Sequence, residues 1–283
     1  MDDGRLPRAL DRLPQIREWV GSRRPAFFLD FDGTLAPIVA HPDLAELPLP
    51  ARELLSRVAR SHVVCVVSGR GLEDIQRKIG LASLYYAADH GHRIVGPPGS
   101  GVVLEVGGEA RGRLEAAARE LVRRLSRVDG VVVEAKGLSA SVHYRSVAKT
   151  DRPVVAGTFV EVAAEFPELR STEGKLVYEL RPDVPWDKGR ATLWLLRRLG
   201  LGRADVCPLC LGDDLTDEDM FQAVAGWGVS VVVGDPGRPT GARYRLRDQG
   251  EAPALIQALA GHGGALDGGH GGALDGGLSH DDD

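Results

Sequence analysis

Short, almost continuously apolar runs alternate with helical patterns between residues 27 and 90. The runs read AFFLD, VVCVVSG and LYYAADHG, and helices are predicted between them near 50–60 and 71–79. Apolar runs without polar alternation are typical of strands covered on both faces in a parallel sheet. The pattern returns late, with a predicted helix at about 188–199 followed by the runs VCPLCLGDD and VSVVVGD. The two stretches together predict one α/β unit.

The segment between these stretches has a different pattern. A helical segment, RGRLEAAARELVRRLSRV, precedes two strand-like runs, GVVVEAK and LSASVHYR. A helix near 154–164 then precedes two candidate strands, near 169–172 and 175–180. Helix, strand, strand, repeated twice, predicts a small domain of helices packed on an antiparallel sheet.

The resulting division has a core in two parts, residues 1–104 and 184–260, with an inserted domain at 105–183 and a tail at 261–283. The tail repeats an eight-residue glycine-rich unit. Such a segment buries too little apolar surface to offset the entropy lost on ordering, so we expect it to be disordered.

Composition narrows the choice of partners and location. The formal net charge is −5, and nothing in it favours nucleic acid or an anionic membrane surface as a partner. No run has the apolar length needed to cross a bilayer, and the opening MDDGRLPRAL lacks a signal-peptide pattern, so we expect a cytoplasmic protein.

Cys207 and Cys210 form CPLC, a pattern compatible with redox or zinc chemistry. No second Cys or His pair has a matching spacing, which favours two half-buried strand cysteines.

Polar residues follow four of the predicted strands, in the segments DFDGT, SGR, DHG and GDDLTDED. Any one of these segments could be a simple turn, because Gly, Asp and Ser are turn residues. In an open α/β sheet, however, ligands bind beyond the carboxyl ends of the strands, where the strand order reverses. Four such ends together favour a binding site.

Asp30 and Asp32 are two residues apart, so on a strand they point to the same side. Their mutual repulsion is relieved if a hard cation such as Mg²⁺ lies between them, and the GDD segment offers a further oxygen ligand. The Ser68 hydroxyl and the Lys188 ammonium, with loop N–H groups, suit the charge of a phosphate. The sequence therefore predicts phosphoryl transfer.

The segments DFDGTL, VSGR, DKG and GDDLTDED, in this order, resemble the four motifs of the haloacid dehalogenase (HAD) superfamily. An aspartate two residues after the first is similar to the phosphatase and phosphomutase branch. The resemblance covers about residues 25–245 and implies an α/β fold. This fold has a Rossmann-like core with a parallel sheet and a smaller α+β cap domain inserted after the second motif.

Four segments are further similar to trehalose-6-phosphate phosphatases: DGTLAPIVAHPD, VEAKGLSASVHYR, EGKLVYELRP and GDDLTDED. The two cap segments carry the substrate assignment, because many sugar phosphatases share the core motifs. The resemblance implies Mg²⁺-dependent hydrolysis of trehalose 6-phosphate to trehalose and phosphate, through an aspartyl-phosphate.

On this hypothesis Asp30 is the nucleophile and Asp32 the acid/base, while Ser68, Gly69 and Lys188 bind the phosphate. The Mg²⁺ ligands are the Asp30 carboxylate, the Asp32 main-chain carbonyl and Asp213. Thr34 is expected to orient Asp32. Asp214 and Asp217 either ligate through water or orient Lys188, and the sequence leaves both options open. The residues expected to face the sugar from the cap are Glu134, Lys136, His143, Arg145, Lys175 and Glu179.

Two alternatives remain at this point. One is another capped sugar-phosphate phosphatase, acting on a sucrose or mannosyl phosphate. The other is a sugar-phosphate sensor without catalysis, although a pure binder has no need of the nucleophile and Lys188. The partner expected is a small-molecule sugar phosphate, and any trehalose-phosphate synthase is expected to be a separate chain.

Overall fold

The computed structural model describes residues 6–39, 41–174 and 176–262. Eight α-helices lie in this part of the chain: α1 (Leu13–Val20), α2 (Leu49–Val58), α3 (Leu72–Ile79), α4 (Arg111–Leu125), α5 (Arg152–Glu165), α6 (Lys188–Arg198), α7 (Glu218–Ala223) and α8 (Ala252–Ala260). The described strands are β1 (Arg24–Leu29), β2 (Val64–Val67), β3 (Tyr85–Ala88), β4 (Arg93–Val95), β5 (Val103–Glu105), β6 (Val132–Ala135), β7 (Ala140–His143), β8 (Leu169–Gly174), β9 (Val177–Pro182), β10 (Val206–Gly212), β11 (Val229–Val233) and β12 (Tyr244–Leu246).

The core is an eight-stranded sheet with the order β12-β11-β10-β1-β2-β3-β4-β5. The six strands from β12 to β3 are parallel, and the edge strands β4 and β5 are antiparallel. The chain moves outward from β1 in one direction to β5 and returns later on the other side of β1, at β10. The strand order therefore reverses beside β1, so ligands are expected at its carboxyl end.

Both faces of this sheet are covered, as the apolar runs predict. Phe27 and Leu29 of β1 pack in one hydrophobic cluster with residues of α1, α2, α3 and α8. Ala26 and Phe28 face the other side and pack with residues of α6 and α7. The two cysteines of CPLC separate in the same way, because Cys207 lies in the first cluster and Cys210 in the second. Both thiols are fully rather than half buried, and they do not form a pair.

A second, antiparallel sheet has the order β6-β7-β9-β8 and carries α4 and α5 on one face. Val142 and Leu180 pack against these helices. Because side chains alternate along a strand, Ser141 and Glu179 face the opposite side, toward the carboxyl ends of the core strands. We call this small layer, residues 111–182, the cap. The α/β fold with a parallel sheet and a smaller α+β cap is confirmed.

Some elements differ from the prediction. The last cap strand runs from Val177 to Pro182 rather than over 175–180. Helix α1 was not predicted. The edge strands β4 and β5 were not predicted either, because their three residues are too few to show a period. The tail from residue 263 and Lys175 lie outside the described residues. Within the described part, no helix is both long and apolar enough to cross a membrane.

Candidate active site

Asp30 directly follows β1, and Lys188 begins α6, where the Asp187 carboxylate caps the helix by accepting from the Arg190 N–H at 2.7 Å. The Lys188 ammonium lies between two carboxylates. Its Nζ donates to Asp30 Oδ1 and to Asp217 Oδ1, each at 2.7 Å, and all three side chains are buried.

Asp217 holds both Lys188 and the acidic loop after β10. Its Oδ2 accepts from the backbone N–H groups of Asp213 and Asp214, at 2.9 and 3.0 Å. The Asp214 side chain is used locally, since Oδ1 accepts from the Leu215 N–H at 2.7 Å. Of the two roles left open by the sequence, the Asp217 contacts favour orientation of Lys188, whereas Asp214 caps a turn.

The carboxylates of Asp30, Asp213 and Asp217 form an acidic cluster, in which one oxygen of each lies within 4.8 Å of the others. Burial raises the pKa of Asp30 well above its usual value, and this outweighs the opposing effect of Lys188. Burial alone would lower the pKa of Lys188, but the charges of Asp217 and Asp30 raise it, so the ammonium stays protonated. This cluster of two buried carboxylates and the half-buried Asp213 has one ammonium beside it, and its hard oxygen atoms fit a Mg²⁺ ion.

Gly33 has no side chain and so leaves room for the Asp213 carboxylate in this cluster. Its φ of 86° is left-handed, and a Cβ at this position would lie 2.3 Å from Asp213 Oδ2. Any larger residue would therefore push the Asp213 carboxylate away from Asp30.

Asp32 contacts a residue that the sequence analysis missed. Arg70 donates from Nε to Asp32 Oδ2 and from Nη2 to Oδ1, both at 2.7 Å. The guanidinium is also bound by Asp74 Oδ2 at 2.8 Å and by the Pro42 carbonyl at 2.9 Å. The expected contact from Thr34 is absent, because its buried hydroxyl has no hydrogen-bond partner among the described residues. Arg70 already occupies both oxygens of Asp32.

The loop after β2 contains Ser68 and Gly69. Ser68 is buried, and its Oγ accepts from the Arg70 N–H at 3.2 Å. Gly69 borders the cleft beneath the His90 ring, and a Cβ there would lie 2.4 Å from His90 Nε2. The next turn, Asp89–Gly91, is joined to this loop by two backbone hydrogen bonds, from Asp89 N to Arg70 O and from His90 N to Ser68 O, both 2.9 Å.

On the cap, a row of polar residues crosses all four strands. Glu134 is paired in register with Ser141, Ser141 with Glu179, and Glu179 with Thr172. Ser141 Oγ donates to Glu179 Oε1 at 2.8 Å. Four side chains at the same level of a sheet present one polar line to the cleft.

Glu134 is surrounded by two further predicted residues. Its Oε2 lies 3.2 Å from His143 Nε2 and 3.3 Å from Lys136 Nζ. Burial would raise the pKa of Glu134, but His143 and Lys136 lower it to about 2. Glu134 is therefore an anion at neutral pH.

Core and cap residues border one cleft of about 440 Å³, a volume within the range of small-molecule sites. The predicted residues that border it are Asp30, Asp32, Gly69, Glu134, Lys136, His143, Arg145, Glu179, Lys188, Asp213 and Asp214. Ser68, Thr34 and Asp217 are buried behind its wall. Arg70, His90, Ser141 and Arg181 also border the cleft and were not predicted. Alternation was the available signal for Ser141 and Arg181, each two residues from a predicted position.

The family model for trehalose-phosphatase matches residues 28–249, which include every residue that borders the cleft. The chain belongs to the trehalose-phosphatase family. A trehalose-phosphate phosphatase of Mycobacterium tuberculosis is 41% identical over 255 residues, which cover 89% of this chain and 64% of that protein. A probable trehalose-phosphate phosphatase D of Arabidopsis thaliana is 36% identical over 264 residues, covering 89% and 72%. This member of the trehalose-phosphatase family thus spans 64% of the length of its mycobacterial relative.

Solved structures share the fold of this trehalose-phosphatase family member. The C-terminal domain of Candida albicans trehalose-6-phosphate phosphatase superposes with a TM-score of 0.76 at 22% identity, covering 91% of this chain and 99% of that one. Aspergillus fumigatus trehalose-6-phosphate phosphatase gives 0.60 at 27% identity, with coverage of 91% and 99%. A haloacid dehalogenase-like hydrolase from Bacteroides thetaiotaomicron gives 0.58 at 17% identity, covering 83% and 98%, in agreement with the HAD-type core.

Proposed function

We propose that this chain hydrolyses trehalose 6-phosphate to trehalose and inorganic phosphate, with Mg²⁺ at the acidic cluster and an aspartyl-phosphate intermediate. One observation carries the proposal. Asp30 and Lys188 of the core, the latter held by Asp217 behind the wall, border the same cleft as the polar row of the cap. Membership of the trehalose-phosphatase family supports the choice of substrate.

In the first step an oxygen of Asp30 attacks phosphorus and the bond from phosphorus to the sugar oxygen breaks. Asp32 gives its proton to the departing oxygen. In the second step water attacks the phosphorus of the aspartyl-phosphate, Asp32 takes a proton from this water, and the Asp30 carboxylate is released. Asp30 and Asp32 lie two residues apart directly after β1, and this placement supports the two roles.

Lys188 acts on both steps by neutralising charge. Its ammonium lies 2.7 Å from Asp30, close enough to contact a phosphoryl oxygen on that side chain. Gly69 lets the phosphate approach the loop after β2, and the Ser68 hydroxyl, with the N–H groups of that loop, suits the remaining oxygens. Asp217 keeps the ammonium in place.

The residues proposed to hold Mg²⁺ are Asp30 and Asp213, through their carboxylates, and Asp32, through its main-chain carbonyl. When bound, the ion offsets the negative charge of the phosphate and of the cluster. The raised pKa of Asp30 supports this, because a cation is needed to keep the nucleophile ionised in a buried site.

The cap is proposed to read the sugar. Glu134 and Glu179 accept hydrogen bonds from sugar hydroxyls, while Lys136, His143 and Arg145 donate to sugar oxygens. Lys175 is proposed in the same role from its sequence position. The disaccharide phosphate itself is supplied by a separate synthase chain in this scheme.

The fold alone does not decide between an enzyme and a sensor. The C-terminal domain of a Candida albicans trehalose synthase regulatory protein shares the fold with a TM-score of 0.65 at 14% identity. The buried Asp30–Lys188 contact favours the enzyme, since burying this charged pair is costly and a binder gains nothing from a nucleophile.

Phosphate release from trehalose 6-phosphate, sucrose 6-phosphate, glucose 6-phosphate and an aryl phosphate tests the proposal. We expect the highest kcat/KM with trehalose 6-phosphate. Glu134→Ala should lower that value by about tenfold or more, the scale of one hydrogen bond to a charged group, and leave the aryl phosphate nearly unaffected. A preference for another sugar phosphate would overturn the substrate assignment, and no release from any of them would favour the sensor.

A further inference from the structure

The turn after β3 holds three consecutive residues in the left-handed region. Asp89 has a φ of 49°, His90 of 57° and Gly91 of 91°. Non-glycine residues in this region cost on the order of 1–3 kcal/mol each and persist where the surroundings enforce them, often at functional sites. The predicted mechanism gives this turn no role.

The His90 ring lies between the cap and the loop after β2. We call this loop, which contains Ser68 and Gly69, the phosphate-binding loop, after its proposed role. On one side the ring covers Gly69 so closely that a Cβ there would lie 2.4 Å from its Nε2. On the other side the same Nε2 lies 3.0 Å from Glu179 Oε2 and 2.8 Å from Arg181 Nη2, both on cap strand β9. The ring therefore joins two parts of the site that are far apart in the chain.

Glu179 is held from three directions. Ser141 donates to its Oε1 at 2.8 Å, Arg181 Nε donates to its Oε2 at 2.7 Å, and His90 contacts the same Oε2 from the core. The carboxylate is buried, and the contacts from Ser141 and Arg181 both come from the cap itself. Among the described residues, only the contact with His90 ties the position of Glu179 to the core.

We propose that His90 is a positioning residue that fixes the Glu179–Arg181 pair of the cap against Gly69 of the phosphate-binding loop, and so sets the distance between the sugar-reading carboxylate and the phosphate. This inference rests on the proposed function and adds a residue to it. Substrates that use both ends of the cleft depend on His90. Hydrolysis of a small aryl phosphate, which does not reach the polar row of the cap, does not depend on His90.

Two substitutions separate positioning from a backbone role. Asn adopts left-handed conformations readily, so His90→Asn keeps the turn, but its side chain is too short to reach Glu179. Gln is less suited to the turn, but its amide reaches the place of the imidazole Nε2 and can donate to Glu179 or accept from Arg181. Positioning predicts that Gln restores function, whereas a purely structural role predicts that Asn is the better replacement.

The kinetic measurement is kcat/KM for trehalose 6-phosphate and for an aryl phosphate. We expect His90→Asn to lower the first by about tenfold or more, on the scale of one hydrogen bond to a charged group, and to change the second little. His90→Gln should recover most of the loss. The control is His62→Gln, which alters a buried histidine bonded to the Pro25 and Ala260 carbonyls, away from the cleft. Equal losses on both substrates, or a better enzyme with Asn than with Gln, would overturn the proposal.

A measurement without substrate keeps the two proposals distinguishable. His90→Asn, Glu179→Gln and the double variant are compared in urea unfolding. The effects of coupled residues on the free energy of unfolding are not additive. The double variant should therefore be only slightly less stable than the less stable of the two single variants. Additive effects would show that His90 does not act through Glu179. If the wild-type enzyme fails to hydrolyse trehalose 6-phosphate, the proposed function falls, and this unfolding cycle still decides whether His90 bridges core and cap.

Discussion

Arg70 binds both carboxylate oxygens of Asp32, each at 2.7 Å, and is itself fixed by Asp74 and the Pro42 carbonyl. A planar guanidinium forms two parallel hydrogen bonds and thereby fixes the plane of its partner. The proposed acid/base is thus oriented by the residue that follows Ser68 and Gly69, which are proposed to bind the phosphate. The proposed proton transfer and the proposed phosphate binding therefore depend on one short loop.

We expect Arg70→Lys to lower kcat by about ten- to a hundredfold on sugar and aryl phosphates alike, because a catalytic group displaced by about 1 Å costs up to about a hundredfold. Lysine offers a point charge and no parallel pair of donors. The control is Arg77→Lys, since the exposed Arg77 bonds to the other oxygen of Asp74 and makes no contact with Asp32. A similar loss in that variant would assign the effect to Asp74 instead.

Asp30→Asn should reduce turnover by several orders of magnitude, as knockouts of covalent nucleophiles do. The protein should still fold, because Asp217 remains to pair with Lys188. Acid quenching of the wild-type reaction with labelled substrate should trap phosphate on the protein, and the variant should trap none. Asp129→Asn, at an exposed position, serves as the control for folding and labelling. Label on Asp30→Asn would disprove the proposed nucleophile.

Removal of metal by a chelator should abolish activity, and added Mg²⁺ should restore it. Asp213→Asn should raise the Mg²⁺ concentration needed for half-maximal activity by about tenfold or more, since a charged oxygen ligand is lost. Its neighbour provides a matched control. The Asp214 carboxylate caps the turn at Leu215, so Asp214→Asn should leave the Mg²⁺ requirement unchanged. Full activity of the chelated enzyme would contradict the assignment of the cluster.

Asp89 gives a prediction about stability and pH. Both of its carboxylate oxygens are buried without a hydrogen-bond partner among the described residues, and burial raises its pKa to about 8. In the unfolded chain the pKa of aspartate is about 4. Between these values the folded state holds a proton that the unfolded state has lost, so stability falls as pH rises from about 4 to about 8.

Asp89→Asn removes this titration and suits the left-handed backbone at this position. The variant should therefore unfold at higher urea concentration than wild type at pH 8 and at nearly the same concentration at pH 4. A variant that is less stable than wild type at pH 8 would show that the carboxylate is needed as an anion.

The sequence could place the acidic residues of the candidate site at one edge of the sheet because parallel strands end there. Asp30 and Asp213 follow from that rule without any knowledge of how the cap packs, whereas Lys188 begins α6 and was included for its charge. Alternation likewise places Glu134 and Lys136 on one face of their strand, whereas Glu179 rested on the family resemblance. These are local or periodic properties of the chain.

Contacts between distant residues were not predictable in this way. The Arg70–Asp32 pair joins residues 38 positions apart and depends on rotamers. The His90–Glu179 contact joins residues 89 positions apart and depends on how cap and core meet. The segment DHG was noticed as a strand end, but nothing in its composition indicates that its histidine contacts a cap strand. Asp217 was similarly ambiguous until its two oxygens were seen to be bonded to Lys188 and to the backbone.

The chain leaves the core sheet after β5 and returns after β9, and these two crossings touch. Gly107, with a φ of 80°, lies so close to Pro182 that a Cβ there would be 2.7 Å from the proline Cβ. The entry and exit points of the cap are close together. If the cap were removed, a short turn could therefore connect the two parts of the core. Replacing this unit should therefore change the proposed sugar preference while Asp30 and Lys188 of the core keep their contact.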